Sequence, residues 1–324
     1  MRHRLLKILD QHGFHTGTRI GAELGLSRAA IHKHIRALVD SGVPIHRVPG
    51  RGYRLAEGVV LLDEYTIERR LSDCARALAA RIEVLEEVDS TSAEVARSIN
   101  RGPLHGRICL AEKQTAGRGR RGRGWVASPY RDLMLSIGVE YAQWPQQLPT
   151  LGLVTALSII RALEGVGIHD LMVKWPNDVV CRDRKLCGVL LDVTGEAHGG
   201  CRIIVGIGIN VSMDAAHGRC IDRPWVDLET LIGRMPDRNV IAAQCLNVLL
   251  PMFESFPASG FPPYLTQWRN LDALRGRTIT VHSAGGDTVD GIAEGVDDSG
   301  RLQVTDEGGR MRVLNQGEVS IRLR

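Results

Sequence analysis

The sequence predicts an α+β protein in three parts, and three observations lead to that prediction. The first sixty residues contain short helical patterns followed by a hairpin pattern. After residue 62, apolar strand-like runs alternate with helical stretches, as in a mixed α/β sheet domain. The final stretch alternates in short strands broken by DDSG and DEGG turns, which predicts a small β barrel. We therefore place the domains at 1–62, 63–271 and 272–324.

Charge distinguishes the N-terminal part from the rest of the chain. Residues 1–62 contain ten Lys and Arg residues against four Asp and Glu residues, a net charge of +6 (10 − 4). The whole chain carries a formal net charge of +4, so the remainder carries −2 (4 − 6). Because basic surfaces attract DNA at long range, any such attraction is predicted for the N-terminal part.

Two helices joined by a tight turn are predicted within TRIGAELGLSRAAIHKHIRALVDSGVPI. Gly25 marks the end of the first helix, and Ser27 is an N-cap residue for the second, so the pair predicts a helix-turn-helix. A purely structural helical module is the alternative. The predicted DNA contacts are the start and the outward side of the second helix: Ser27, Arg28, Ala29, His32 and Lys33.

The segment IHRVPGRGYRL (45–55) predicts a β hairpin with a Pro-Gly-Arg-Gly turn. A basic hairpin after three helices indicates a winged helix-turn-helix, and Arg51 at the wing tip would lie near the DNA backbone. The three nearby histidines are interpreted as polar surface groups, since no second His or Cys cluster accompanies them: His32, His34 and His46.

The cysteines and the lack of targeting segments predict a reduced, cytosolic, soluble protein without a membrane partner. The seven cysteines are an odd number, and none forms a CxxC pair or a metal-binding spacing with histidine. No signal peptide and no long apolar run is evident. We interpret the cysteines as structural core residues.

Polar and glycine-bearing insertions follow the predicted central strands, where binding sites are usually built. In VDSTSAE (88–94), the hydroxyl groups would either cap the following helix or hold a polar ligand. QTAGRGRRGRGW (114–125) concentrates arginines between glycines that allow close backbone approach to an anion. This loop matches neither a P-loop nor a Rossmann turn, and it lies away from the termini, where basic nucleic-acid arms usually occur.

KWPND (174–178) and GIGIN (206–210) are the other two insertions. A Pro-Asn-Asp turn after a strand explains the last three residues of KWPND but leaves the charged Lys174 unexplained. The glycines of GIGIN would let a planar ligand lie close, and a β bulge is the alternative. The chain has 36 arginines and only five lysines, so retained lysines such as Lys174 and Lys185 indicate a need for a compact ammonium group.

Taken in order, the motifs closely resemble those of the biotin protein ligases: DSTS, QTAGRGRRGRGW, KWPND, RKLCGVLLD and GIGIN. With the N-terminal winged helix-turn-helix, the chain resembles over essentially its full length the bifunctional form that is also the biotin operon repressor. The resemblance implies a class II synthetase-like ligase domain. It also implies that the C-terminal barrel is an SH3-like domain that assists ATP and carrier-protein binding.

The resemblance implies a two-step reaction. The biotin carboxylate attacks the α-phosphorus of ATP, with Mg²⁺ assisting, and gives biotinyl-5′-AMP and pyrophosphate. A lysine of the biotin carboxyl carrier protein of acetyl-CoA carboxylase then displaces AMP and forms an amide. Biotinyl-5′-AMP would also be the corepressor, promoting a homodimer that binds operator DNA.

Site residues are implied motif by motif. Lys185, Arg118 and Arg120 would be catalytic, with Lys185 acting by electrostatics on the carboxylate and the transferred phosphoryl group. Biotin would contact Ser90, Thr91, Ser92, Gln114, Gly117, Arg118, Gly119, Arg120, Lys185 and Gly188. ATP and the adenylate would contact Arg120, Arg121, Arg123, Trp125, Lys174, Asn177, Asp178, Asn210 and Trp225. For Trp225, ordinary core packing is the alternative.

No dedicated metal site is predicted, because Mg²⁺ would arrive with ATP. Asp178 is a candidate metal ligand and a candidate base for the acceptor lysine. The chain departs from the family at two positions: Ser92 stands where DSTN has an amide, and Cys187 of KLCGVL is expected beside the pocket. Two other functions compete, namely a ligand-sensing repressor that has lost catalysis and a lipoate or octanoyl transferase, which shares the central fold.

Overall fold

The computed structural model describes residues 1–11, 13–195, 199–283, 288–315 and 319–323. The α-helices are α1 (Arg2–Leu9), α2 (Gly17–Leu24), α3 (Arg28–Asp40), α4 (Glu64–Glu68), α5 (Asp73–Leu78), α6 (Thr91–Arg97), α7 (Leu151–Glu164), α8 (Ala215–Gly218), α9 (Leu228–Ile232), α10 (Arg238–Ser259) and α11 (Leu265–Leu271). Short 3-10 helices span Ser98–Arg101, Arg120–Gly122, Leu148–Thr150 and Pro262–Tyr264. The strands are β1 (Ile45–Val48), β2 (Gly52–Leu55), β3 (Arg81–Leu85), β4 (Arg107–Ala111), β5 (Leu133–Tyr141), β6 (Met172–Lys174), β7 (Asp178–Cys181), β8 (Arg184–Gly195), β9 (Cys201–Ile209), β10 (Thr278–Ser283), β11 (Thr288–Val296), β12 (Leu302–Asp306), β13 (Met311–Leu314) and β14 (Val319–Leu323).

The N-terminal part is a winged helix-turn-helix, as predicted. Gly25 ends α2 in the left-handed conformation at φ 70°, and the Ser27 hydroxyl accepts the Ala30 N–H at 3.1 Å to begin α3. Strands β1 and β2 pair antiparallel as the wing. The wing packs so closely on the chain before α2 that a Cβ at Gly52 would lie 2.1 Å from the His15 carbonyl oxygen. Only glycine fits there, which fixes the wing against the helices.

The central part is built on a seven-stranded mixed sheet in the order β3-β4-β5-β9-β8-β7-β6. Strands β3 and β4 are parallel, and the other neighbours are antiparallel. Helices α7 and α10 pack on each other and on the sheet, while α6 packs on β4, β5 and β9. The apolar runs at 107–112, 132–140, 171–175, 185–193 and 201–211 form β4, β5, β6, β8 and β9, as expected of strands. The helical stretches expected near 92–100, 148–165 and 239–256 are α6, α7 and α10, but β3 and β7 were not predicted.

Helix α10 departs from the expectation that the chain has no long apolar run. By length and composition alone it could cross a membrane, but 56% of its most apolar window is buried within the protein. Its buried side chains, Leu246 and Phe253 among them, belong to the main hydrophobic core. The helix is apolar because it packs against α7 at the centre of the domain.

The C-terminal part is a five-stranded antiparallel sheet in the order β13-β12-β11-β10-β14. Its apolar residues join the core of the central part, so the two parts share one hydrophobic cluster. The indole N–H of Trp175, next to β6, donates to the Gly300 carbonyl at 3.0 Å and reinforces this contact. The last of the short strands predicted for this part, RMRVLNQGEVSIRLR (310–324), falls partly on residues 316–318 and 324, which lie outside the described residues.

The junction between the first two parts is held by a buried ion pair. Arg238 and Glu112 are 2.7 Å apart, and their side chains are 0% and 6% exposed. Arg238 also donates to the Val60 carbonyl, and Glu112 accepts the Leu62 N–H. The chain that leaves the winged domain is therefore bonded directly to the core of the central part, and the domain boundary near residue 62 stays a prediction.

Candidate active site and DNA-binding surface

A cavity of about 940 Å³ opens over β8 and β9. Segments far apart in the chain meet at its wall, because the sheet brings the ends of several strands together. All but one of the predicted biotin and ATP residues line it: Ser90, Thr91, Ser92, Gln114, Arg118, Gly119, Arg120, Arg121, Arg123, Trp125, Lys174, Asn177, Asp178, Lys185, Gly188, Asn210 and Trp225. The exception is Gly117, where a Cβ would lie 2.7 Å from the Trp125 carbonyl oxygen. Gly117 therefore packs against Trp125 at the base of the QTAGRGRRGRGW loop (114–125, the arginine loop) and does not form part of the cavity wall.

One corner of the cavity, the hydroxyl corner, is a network of hydroxyl and amide groups from Ser90, Thr91, Ser92, Gln114 and Ser136. Gln114 Oε1 accepts hydrogen bonds from the Thr91 N–H at 2.7 Å and the Thr91 hydroxyl at 3.1 Å. Ser90 occupies the N-cap position of α6 but makes no side-chain cap hydrogen bond. The capping alternative for Ser90 is therefore not observed, and the corner presents polar groups suited to a small polar ligand.

Ser136, which the sequence did not single out, organises this corner. Its hydroxyl is 2.8 Å from the Thr91 hydroxyl and 3.0 Å from the Ser92 hydroxyl. A Cβ at Gly206 would lie 2.6 Å from Ser92 Oγ, so the first glycine of GIGIN makes room for that side chain. Ser136 is fully buried within the apolar strand β5, which explains why its hydrophobic neighbours concealed it.

The arginine loop folds as a tight hairpin over the cavity. The Gly119 N–H donates to the Arg123 carbonyl at 2.7 Å, and Arg121 is left-handed at φ 58°. Arg118 pairs with Asp192 at 2.5 Å, and Arg120 donates to Asn177 Oδ1 at 3.0 Å. Burial lowers the pKa of Arg120, with Asp178 opposing the shift. Arg120 therefore reaches inward, whereas Arg118 pairs with Asp192 at the exposed side of the loop.

Trp125 lies directly on the glycines of β8 and β9. A Cβ at Gly208 would be 2.3 Å from Trp125 Cε2, and one at Gly188 would be 3.0 Å from its Cζ3. The indole nitrogen of Trp125 is buried and has no hydrogen-bond partner. The glycines thus allow close approach of a planar group, as expected of GIGIN, but in this structure that group is the protein's own indole.

Opposite charges meet at the floor of the cavity. Lys185 Nζ is 2.8 Å from Asp178 Oδ1 and 5.4 Å from the centre of the Trp125 ring. Burial lowers the pKa of Lys174, while Asp178 and Asp183 act in the opposite direction. Both predicted lysines therefore face the cavity, and the need for a compact ammonium group there stays a prediction.

Asn210 and Trp225 form the far wall together. The Asn210 amide donates to the Lys185 and Val226 carbonyls at 3.2 and 3.1 Å. The Lys185 N–H in turn donates to the Pro224 carbonyl at 2.9 Å. Asn210 therefore holds the backbone around Lys185, and Trp225 is half-buried at the cavity wall rather than in the core. The adjoining wall residues 220–224 were not predicted.

Cys187 and the C-terminal part differ in position from what the sequence predicts. Cys187, expected beside the pocket, is fully buried in the main core, where desolvation raises the pKa of its thiol. It lies on the face of the sheet that packs against the helices, so it does not line the cavity. The C-terminal sheet instead contributes Ile321 to the wall, and its Arg277 pairs with Asp183 at 2.5 Å.

The described residues contain no group of three or more His, Cys, Asp or Glu side chains that could hold a metal ion. Three carboxylates, Asp178, Asp183 and Asp222, do line the cavity. One or two carboxylates together with substrate phosphates are the usual ligands of a nucleotide-bound Mg²⁺. The donor set fits a metal that arrives with its nucleotide.

Comparison with known proteins assigns the family. Residues 84–210 match the biotin/lipoate A/B protein ligase family, residues 2–54 an HTH domain, and residues 275–322 the biotin protein ligase C terminal domain. The chain is 36% identical to the bifunctional ligase/repressor BirA of Salmonella typhimurium, over 98% of this chain and 96% of that protein. The chain belongs to the biotin protein ligase family.

Other biotin protein ligases agree in sequence and in structure. BirA of Escherichia coli is 36% identical over 98% of this chain and 96% of its own length. The solved biotin protein ligase of Aquifex aeolicus, in complex with biotin and ATP, matches with a TM-score of 0.64 and 27% identity. The match covers 76% of this chain and all of the Aquifex chain.

Within this biotin protein ligase, every predicted DNA contact is exposed: Ser27, Arg28, Ala29, His32, Lys33 and Arg51. Arg51 at the wing tip lies over the Phe14 ring at 4.7 Å, which holds its guanidinium beside the helices. His32 is 3.4 Å from Arg47 of β1, so α3 and the wing are linked on the same surface. The six residues are placed where a DNA duplex could reach them.

Proposed function

We propose that the chain is an ATP-dependent biotin protein ligase that also represses transcription. One observation carries the ligase function: a single cavity combines the hydroxyl corner, the arginine loop and the Lys185–Asp178 pair. The reaction must bring two anions together and stabilise charge at the α-phosphorus, and this cavity supplies cations on two sides. Relatives that are 36% identical over nearly the whole chain support the same function.

In the first step, the hydroxyl corner would hold the biotin head group and leave its carboxylate beside Lys185. The carboxylate oxygen attacks the α-phosphorus, the bond to the β-phosphate oxygen breaks, and pyrophosphate leaves. Lys185 and Arg120 would stabilise the charge that develops on the phosphoryl oxygens. Trp125 must move off Gly188 and Gly208, or stack on the ligand, for the floor to become available.

In the second step, the acceptor lysine of the carrier protein attacks the acyl carbon of the adenylate and AMP leaves. The amine must lose a proton, and Asp178 is the carboxylate nearest to Lys185 that could receive it. Its ion pair with Lys185 has to loosen for that role, which the arriving phosphate would favour by competing for the ammonium group. Lys174 contributes further positive charge at this end of the cavity.

Mg²⁺ would enter with ATP, held by Asp178 and Asp183 together with phosphate oxygens, and would neutralise phosphate charge. Arg118, Arg121, Arg123, Asn177, Asn210 and Trp225 are proposed to contact the adenylate or to shape its site. The hydroxyl of Ser92 is turned to Ser136 in place of the family amide, so this position would act through the network rather than directly.

The decisive experiment incubates the protein with biotin, MgATP and apo biotin carboxyl carrier protein, and follows the carrier by mass spectrometry. A biotinylated carrier is expected. A lipoyl domain in place of the carrier is the matched control for a lipoate or octanoyl transferase. Modification of the lipoyl domain alone would favour that alternative, and adenylate binding without transfer would favour a ligand-sensing repressor.

Repression rests on the winged domain, whose net charge is +6 (10 − 4) over residues 1–62. We propose that biotinyl-5′-AMP is the corepressor, that it favours a homodimer, and that the protein acts in the cytoplasm. Operator binding should weaken steeply with salt and fall when Lys33 is replaced by alanine, because each phosphate contact releases counterions. Lys7→Ala, an exposed lysine of α1 outside the predicted contacts, is the control. Equal binding by a chain without residues 1–60 would rule out this role.

A further inference from the structure

Asp89 lies where helix α6, the base of the arginine loop and the hydroxyl corner meet. Its carboxylate accepts the Ser90 N–H at 2.7 Å. Its backbone carbonyl accepts the Ala116 N–H, at the start of the loop, at 2.8 Å. The N–H of Thr91, the residue after Ser90, donates to Gln114 Oε1. Asp89 therefore fixes both the beginning of α6 and the beginning of the loop, by its side chain and its backbone respectively.

Arg97, at the C-terminal end of α6, forms an ion pair with the Asp89 carboxylate. Its two terminal nitrogens donate to the two oxygens of Asp89 at 2.7 and 2.9 Å, a bidentate arrangement. Its Nε also donates to Glu94 at 2.9 Å, which orients the guanidinium plane. This contact holds the pKa of Asp89 well below its usual range, so the carboxylate stays charged. The pair ties Arg97, the last residue of the helix, to Asp89, the residue before the N-cap Ser90.

The start of α6 differs from the starts of α3 and α4. Ser27 and Asp63 begin α3 and α4 by accepting an N–H of the first turn with their side chains. Ser90 makes no such bond, and Asp89 takes the Ser90 N–H instead. The helix is thereby held without using the Ser90 hydroxyl, which stays at the cavity wall.

We propose that Asp89 and Arg97 are a positioning pair for the biotin head group, an inference that rests on the proposed ligase function. Because the pair holds the start of α6 from outside the cavity, it places the Ser90 and Thr91 hydroxyls at a fixed distance from Gln114. Neither Asp89 nor Arg97 lines the cavity, so both act through the residues that do.

A purely stabilising role for the pair would predict a lower melting temperature when Arg97 is replaced, whereas a positioning role does not. Both side chains are 48% exposed, and ion pairs at that exposure contribute little to folding. Loss of Arg97 should therefore leave the melting temperature nearly unchanged. The effect should appear in the KM for biotin, while the KM for ATP and kcat change little, because the ion pair acts through the Asp89 side chain on the start of α6, whereas the arginine loop is held by the Asp89 backbone carbonyl.

The test compares Arg97→Ala and Arg97→Lys with Arg101→Ala in the full-length chain, using pyrophosphate release at varied biotin and at varied ATP. Arg101 is the matched control because it pairs with Glu94 on the same surface, one side chain away from Asp89. The expected result for Arg97→Ala is a rise in the KM for biotin of about tenfold, as for the loss of one charged hydrogen bond. Arg97→Lys should restore part of that loss, because its ammonium can make one of the two bonds.

Two outcomes would overturn the positioning role. One is a KM for biotin in Arg97→Ala equal to that of Arg101→Ala. The other is a joint change in both KM values, kcat and the melting temperature, which indicates general loosening of the fold. Failure of the proposed function is a separate result, because the wild-type chain would then release no pyrophosphate with biotin and ATP under any of these conditions.

Discussion

Replacement of Lys185 by arginine keeps the charge and changes only the shape of the cation. Lys185 Nζ lies 3.1 Å from the place that a Cβ on Gly188 would occupy and 2.8 Å from Asp178. The Trp125 ring covers the same space from the other side. A planar guanidinium is wider than an ammonium group, so it cannot take the Nζ position without displacing Trp125 or the strand.

The magnitude follows from the role proposed for the ammonium group. Loss of one preorganised donor to a developing oxyanion costs about 10²- to 10³-fold in kcat, and a misplacement of about 1 Å costs roughly 10²-fold. Lys185→Arg should therefore lower kcat for adenylation by about 10²-fold, or ~2.7 kcal/mol in the activation free energy. The KM for biotin should change less, since the hydroxyl corner is untouched.

Pyrophosphate release under saturating biotin and MgATP measures this step directly. Lys113→Arg is the matched control, because Lys113 pairs with Glu87 at 2.9 Å and does not line the cavity. That variant should release pyrophosphate at the wild-type rate. If Lys185→Arg did the same, the cavity would require only a positive charge, and the argument from lysine retention would be refuted.

Three further predictions concern stability and access to the cavity floor. Glu112→Ala should lower the free energy of unfolding in urea by about 3–5 kcal/mol, because it leaves the buried Arg238 charge unpaired. Burial raises the pKa of Asp132 from 3.8 to about 6, so the native state binds a proton more readily than the unfolded state does. The free energy of unfolding should therefore fall by at most about 3 kcal/mol as pH rises from 4 through 6. Asp132→Asn should flatten that part of the pH profile. Gly208→Ala should displace Trp125, since the new Cβ would lie 2.3 Å from its ring, and the shift should be visible in tryptophan fluorescence.

Hydrophobic periodicity predicted the elements that carry the fold. Apolar runs such as CRIIVGIGINV are long enough to identify β9, and α10 follows from its repeated Leu and Val residues. Strand β7 has four residues and directly follows a Pro-Asn pair, so nothing distinguished it from the turn. Strand β3 alternates Arg and Glu with apolar residues, a pattern too short to stand out.

Residues that line the cavity could be predicted where side-chain chemistry is unusual, but not where geometry decides. Charged residues such as Lys174 are conspicuous in an apolar stretch, and Lys174 does face the cavity. Ser136 and Asp89 act through distances of 2.7 to 3.0 Å to residues that the sequence had already identified, and no local pattern reports such contacts. Cys187 was misplaced because a bulge between β7 and β8 changes which residues of β8 share a face.

The arginine loop shows why composition alone misleads about the binding partner. Its guanidinium groups suit a polyanion, but two of them already meet polar groups of the ligase domain, Asp192 and Asn177. The part of the chain beyond residue 62 has a net charge of −2 (4 − 6), which repels a long polyanion overall. A small anion enclosed in the cavity interacts mainly with the nearby arginines and Lys185, since salt screens charges that lie more than about 10 Å away. The winged domain has a net charge of +6 (10 − 4) and exposes α3, so it attracts a long polyanion such as DNA. Charge as well as fold therefore directs DNA to the winged domain and a small anion to the cavity.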